Sequence, residues 1–192
     1  MYSGSRGVIL TDTLMFLLFT FASVGAALYV VDDLGGMRTV IENLATIEGK
    51  ADLMSWHGII GPGTEWPTAM DFLIWIIVID VSWAIVYTVS PWQSSRHLMA
   101  KNEHVVLRAS CYACLAVGLL QVIVYGLGAI INLGKVDIDP PESATIWASL
   151  TMMPELLGAL MLAGIMAAVL SSASTFLSLV GFSASNDIGI HK

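Results

Sequence analysis

Four long blocks of the chain are almost wholly apolar: residues 8–31, 71–91, 105–133 and 155–180. Crossing a bilayer takes about 20 mostly apolar residues, so each block predicts a transmembrane helix. The first is too long for the apolar core of a secretion signal, and three more follow it. Between the first two lies an outer loop, 32–70. Within it "MRTVIENLATI" places Met37, Val40, Ile41, Leu44 and Ile47 at helical spacing, which predicts a short amphipathic helix on the membrane surface. "GIIGPGTEWP" reads as turn and interfacial loop, with Trp56 and Trp66 as interface anchors.

The second block carries an irregularity. Its apolar run stops at Ser90–Pro91, yet helical spacing resumes through "SSRHLMAK". Proline lacks a backbone donor and clashes with the preceding turn. Two readings stand. The helix ends here at the membrane surface, or it is broken near membrane depth, which is tolerated only against protein or a water-filled cavity and is how transporter binding sites are built. The third block is glycine-rich (Gly118, Gly126, Gly128), which allows close helix approach in lipid. Pro154 and Glu155 suit the first turn of the fourth.

Composition agrees with a membrane protein: 56% hydrophobic and 12% charged, with a mean hydropathy of +0.79, against roughly 25% charged for a typical globular domain. The net charge of −7 and the lack of any basic patch argue against a nucleic-acid partner. The charge distribution gives a topology. Acids dominate 32–71 and 134–155, whereas 92–108 holds Arg96, Lys101 and Arg108 against Glu103. By the positive-inside rule, both ends of the chain and the 92–108 loop are cytoplasmic, and the four spans alternate without conflict. Cys111 and Cys114 form C-x-x-C but lack the strand-to-helix context of a redox motif. They read as small apolar residues of a helix.

The fourth span carries the chemistry. Four hydroxyls fall in "SSAST": Ser171, Ser172, Ser174 and Thr175. At about 100° per residue, Gly164, Ala168, Ser171, Ser172 and Thr175 form one stripe, and Ser171, Ser174 and Ser178 a second beside it. Val169, Leu170, Ala173, Phe176, Leu177 and Val180 make the opposite, lipid-like face. Oxygens of this kind ligate hard cations. They also serve as helix–helix glue, and the residues alone leave both open. Asp12, near the cytoplasmic start of span one, lies at the depth of these hydroxyls. It is either a functional intramembrane acid or a helix cap. Asp80 is deep in span two and must face a cavity or a partner, since turning it to lipid costs about 2.5–3.5 kcal/mol. A membrane enzyme built on His97, His104 and Asp80 finds little support: H-E-x-x-H is absent and both histidines sit at a short basic loop.

Four features resemble the sodium:solute symporters, the family of sodium–proline and sodium–sugar transporters: Thr11–Asp12 opening a span, "SPWQSSRHLMAKN" after a broken helix, "AGIMAAVLSSAST", and Asn186–Asp187 closing that last helix. In this order and spacing they cover nearly the whole chain. The resemblance implies an all-α integral membrane protein whose four spans belong to a leucine-transporter-like fold of inverted repeats. It implies no enzyme activity, no cofactor beyond sodium as coupling ion, and alternating-access transport of a small organic solute across the plasma membrane. Ala168 (through its carbonyl), Ser171 and Ser172 match the family's shared sodium site. Asp12, Ser174 and Thr175 match the second site of members that have one, with Ser171 nearby. Trp92 matches an aromatic residue lying on the solute, with Ser90 and Gln93 as solute neighbours. The residues alone leave Asp80 either in contact with a solute or protonated or satisfied by Ser and Tyr. Met15 stands where the family often has Gln. The family's first broken helix and last helices have no counterpart here, so the chain is expected to be a middle fragment whose partners are the bilayer, sodium, the solute and the rest of its own full-length chain. A small four-helix membrane subunit, structural or channel-like, with packing hydroxyls is the alternative.

Overall fold

A computed structural model describes residues 4–47, 60–61 and 64–185, and these are mostly helical, with no sheet among them. The helices are α1 (Gly4–Asp33), α2 (Met37–Ala45), α3 (Ala69–Val89), α4 (Pro91–Leu98), α5 (Glu103–Ile131), α6 (Ala144–Thr151) and α7 (Glu155–Ser183), with a 3₁₀ turn at Pro141–Ser143 before α6. Four of them, α1, α3, α5 and α7, are long and apolar enough to cross a membrane.

The organising contact is between α1 and α7, which run antiparallel. Ser171 meets Asp12 at one end, Gly164 lies against Phe19 and Ala22 in the middle, and Leu157 approaches Gly25 at the other. Glycine and alanine line this seam because nothing hydrophobic drives apolar helices together in lipid, so the gain comes from close approach. A Cβ added to Gly164 would stand 3.2 Å from the Phe19 Cα. Ala22, Ala26 and Met161 are buried along it. The core extends to the C-terminal end of α5 through Leu127, Ile130 and Ile131, to α6 through Ala148, and to α2 through Val40 and Leu44. At the α6–α7 corner, a Cβ on Gly158 would lie 2.1 Å from the Ser149 carbonyl oxygen.

α2 follows α1 after a turn in which Gly35 (φ +88) and Gly36 (φ +93) hold a conformation that L side chains rarely adopt. Val40 and Leu44 of its apolar stripe face the core, while Met37 and Ile41 remain outside. Of the two tryptophans expected at the interface, Trp66 packs with Phe72 and Trp75 at the start of α3, and Trp56 falls outside the described residues.

Helix ends follow their caps. The Thr68 hydroxyl accepts the Asp71 N–H and donates to the Asp71 carboxylate, and the Asn102 side chain accepts the Val105 N–H at the start of α5. α3 has no buried residue. It ends at Ser90, whose backbone is extended (φ −66, ψ 128), and α4 resumes at once with Pro91 in its first turn. A residue before proline is pushed out of the helical region, and proline suits a first turn, so the Ser90–Pro91 pair both stops one helix and starts the next. The stretch is thus two helices meeting at Ser90 and not a helix leading into plain loop.

Candidate ion-binding site

Asp12 is not a helix cap. α1 begins at Gly4, and its first turn holds no acid. The Thr11 hydroxyl is used within the helix, donating to the Gly7 carbonyl at 2.9 Å. Asp12 therefore projects from the body of a membrane-spanning helix and is 9% exposed. A buried carboxylate must be matched by donors or cations, and α7 supplies donors. The Ser171 hydroxyl donates to Asp12 Oδ1 at 3.0 Å. Ser174 reaches the same oxygen at 3.5 Å, and Thr175 reaches Oδ2 at 3.5 Å.

The spacing of the three hydroxyls makes this convergence possible. Residues three and four apart on a helix are neighbours, so Ser174 and Thr175 flank Ser171 one turn on. Both also lie 3.0 Å from the Ser171 carbonyl oxygen. Asp12 thus faces the hydroxyls of Ser171, Ser174 and Thr175, all on half-buried residues. The donor set is oxygen only and includes one formal negative charge, which suits a hard monovalent cation. Each hydroxyl can rotate its hydrogen away and present a lone pair.

Ala168 and Ser172 lie elsewhere. Both are exposed, and the Ser172 hydroxyl donates back to the Ala168 carbonyl at 3.3 Å. Ser171 stands between the two groups. It was assigned by resemblance to the Ala168–Ser172 set, yet it makes the shortest of these contacts to Asp12. The stripe continues as Ser178 donates to the Ser174 carbonyl at 2.7 Å.

The residues proposed to face a solute are not gathered in one place. Asp80 is exposed on α3, roughly 15 Å along the helix from Ser90. At the break, the Ser90 hydroxyl donates to the Val86 carbonyl. The Ser90 carbonyl in turn accepts the N–H groups of Gln93 (3.2 Å) and Ser94 (3.1 Å). Ser90 and Gln93 are half-buried. The Trp92 side chain and Asn186–Asp187 lie outside what is described. Ser23 escaped sequence reasoning: it is fully buried on α1 and its hydroxyl has no hydrogen-bond partner among the described residues. Only its place among the small residues of "ASVGA" hinted at a packed position. Cys111 and Cys114 are free and exposed, and no cluster of three or more His, Cys, Asp or Glu occurs among the described residues.

Four helices long and apolar enough to cross a membrane mark a multi-pass membrane protein. The chain belongs to the sodium:solute symporter family, whose profile matches residues 1–188. No curated protein and no solved structure matched it. The family is one of transporters, not of enzymes, and couples its solute to sodium.

Proposed function

We propose that the chain forms part of the membrane core of a sodium-coupled symporter that moves a small organic solute by alternating access. One observation carries this: the Asp12 carboxylate is held inside the bundle against Ser171, Ser174 and Thr175. Asp12, Ser174 and Thr175, with Ser171 shared, bind one sodium ion. Ala168, through its carbonyl, Ser171 and Ser172 bind another on the adjoining face of α7. That face is exposed in this chain, so its remaining ligands come from other helices of a longer chain. In that chain the four spans take their place in a leucine-transporter-like inverted repeat.

The break at Ser90–Pro91 is where the solute meets the protein, with Ser90, Trp92 and Gln93 beside it and Asp80 deeper on α3. The α1–α7 pair, closed by small residues, moves as one body, and the break allows α3 and α4 to reorient separately. Both ends of the chain lie in the cytoplasm of a plasma-membrane protein, a reading supported by the basic 92–108 segment and the acidic 32–70 loop.

The test is uptake by the full-length gene product in proteoliposomes under an inward sodium gradient, with potassium as control. Accumulation of an organic solute only with sodium is the expected result. Accumulation that is indifferent to sodium contradicts the proposal.

A further inference from the structure

Asp80 stands roughly 16 Å along α3 from Ala69, near the middle of a bilayer whose hydrocarbon core is about 30 Å thick. No described Lys or Arg pairs with it. All eight Lys and Arg residues lie at span ends or in the connecting segments. Among the described residues Asp80 has no hydrogen-bond or ion-pair partner. A carboxylate at that depth is expensive unless a positive or donating group comes to it.

The helix shows what kind of group. Going towards the break, Trp83 and Tyr87 follow Asp80 at i+3 and i+7. By helical rotation Tyr87 lies about 20° and Trp83 about 60° from the Asp80 direction, so all three share one face. The two rings touch, with centroids 5.7 Å apart and planes tilted by 36°. Both are exposed, at 55% for Trp83 and 46% for Tyr87. An aromatic face carries negative potential and attracts ammonium groups. A carboxylate beside two rings therefore presents a surface complementary to a cation that is also bulky and partly apolar. A lipid tail would gain nothing from the carboxylate; a sugar could donate hydrogen bonds to it but would leave its negative charge unneutralised at that depth, which an ammonium group does not.

We infer that the Asp80–Trp83–Tyr87 face of α3 receives the positively charged ammonium group of the transported solute, which is therefore an organic amine, quaternary ammonium compound or zwitterion. The inference rests on the symporter reading and names the solute class for its solute site. The ammonium pairs with Asp80 and lies against Trp83, and the rest of the solute extends past Tyr87 towards Ser90.

The experiment uses the full-length gene product in proteoliposomes on a solid-supported membrane. Sodium-dependent currents are recorded on adding choline, ethanolamine, glycine betaine and γ-aminobutyrate as ammonium probes. The neutral choline isostere 3,3-dimethyl-1-butanol, glucose and acetate are the contrasts. Currents with at least one ammonium probe and none with the contrasts are expected. Asp80→Asn should weaken the apparent affinity for that probe about tenfold or more, with Asp80→Glu restoring part of it, and Trp83→Leu should weaken it by about fivefold. The sodium concentration for half-maximal current should not change. Two results overturn the inference while leaving the symporter reading intact: sodium-dependent currents carried by glucose, acetate or the neutral isostere, or an affinity for the ammonium probe unchanged in both Asp80→Asn and Trp83→Leu. A basic side chain from another helix, rather than a solute, as the partner of Asp80 would appear as Asp80→Asn losing folded protein while Trp83→Leu keeps full affinity, and that too overturns it. No sodium-dependent current with any solute removes both.

Discussion

Replacing Gly164 tests whether the α1–α7 seam sets the geometry of the ion site. Gly164 is buried, and an added Cβ would meet the Phe19 Cα at 3.2 Å and the Ala22 Cβ at 3.4 Å. Ordinary carbon contacts lie at about 3.5–4.0 Å, so alanine asks α1 to yield by roughly 0.3 Å. That strain is offset by the gain of about 1 kcal/mol in replacing a mid-helix glycine with alanine, and Gly164→Ala should be close to neutral. Isoleucine adds a branched side chain directed at a backbone, for which overpacking costs about 1–3 kcal/mol. Gly164 stands two turns, roughly 10 Å, from Ser171 on the same helix. Spreading the helices there lengthens the 3.0 Å Ser171–Asp12 contact. Purified in detergent, Gly164→Ile should melt roughly 4–8 °C lower for a loss of about 2 kcal/mol and should need several-fold more sodium for half-maximal stabilisation. Gly164→Ala should match the parent in both. If Gly164→Ile melts with the parent and responds to sodium identically, close approach at this position does not govern the site.

Gly158→Ala should be far more damaging than Gly164→Ala, because its Cβ would fall 2.1 Å from the Ser149 carbonyl oxygen and cannot be relieved by a side-chain turn; melting of the two variants side by side checks the order. In a background with Cys111 and Cys114 replaced by alanine, a cysteine at Glu42 should react with an impermeant maleimide added outside intact cells and one at Asn102 should not; the reverse pattern would invert the topology. Ser172→Ala should raise the sodium concentration for half-maximal uptake several-fold without loss of folded protein, since Ser172 is exposed and its hydroxyl bonds only to its own helix.

What could be read from residue order alone was whatever depends on local pattern. The four membrane helices follow from runs of apolar residues, and the hydroxyl stripes of α7 follow from helical rotation. The meeting of Asp12 with the hydroxyls was also legible, because topology fixed their common depth. The choice of Ser171 as the nearest partner was not: it depends on how α1 and α7 rotate against each other, which Gly164, Gly25 and Ala22 determine by contact across more than 130 residues of chain. The break at Ser90–Pro91 had two readings because proline ends helices as readily as it starts them. The extended backbone of Ser90 shows that helix resumes at once with Pro91, which residue order alone left open. Ser23 was invisible for a similar reason, as serine looks the same in sequence whether it faces lipid or a seam.

The central claim is that the Asp12 cluster binds a coupling ion rather than merely gluing α1 to α7. The most direct measurement is the ratio of sodium to solute moved, taken from reversal potentials of the full-length gene product in proteoliposomes, for the parent and for Asp12→Asn. Asparagine keeps the size of the side chain and still accepts the Ser171 hydroxyl, but it removes the charge. Loss of one sodium per solute in Asp12→Asn, with the protein still folded and transporting, is the predicted result. An unchanged ratio, with Asp12→Asn altering only stability or the amount of folded protein, would show that the cluster is packing and contradict the claim.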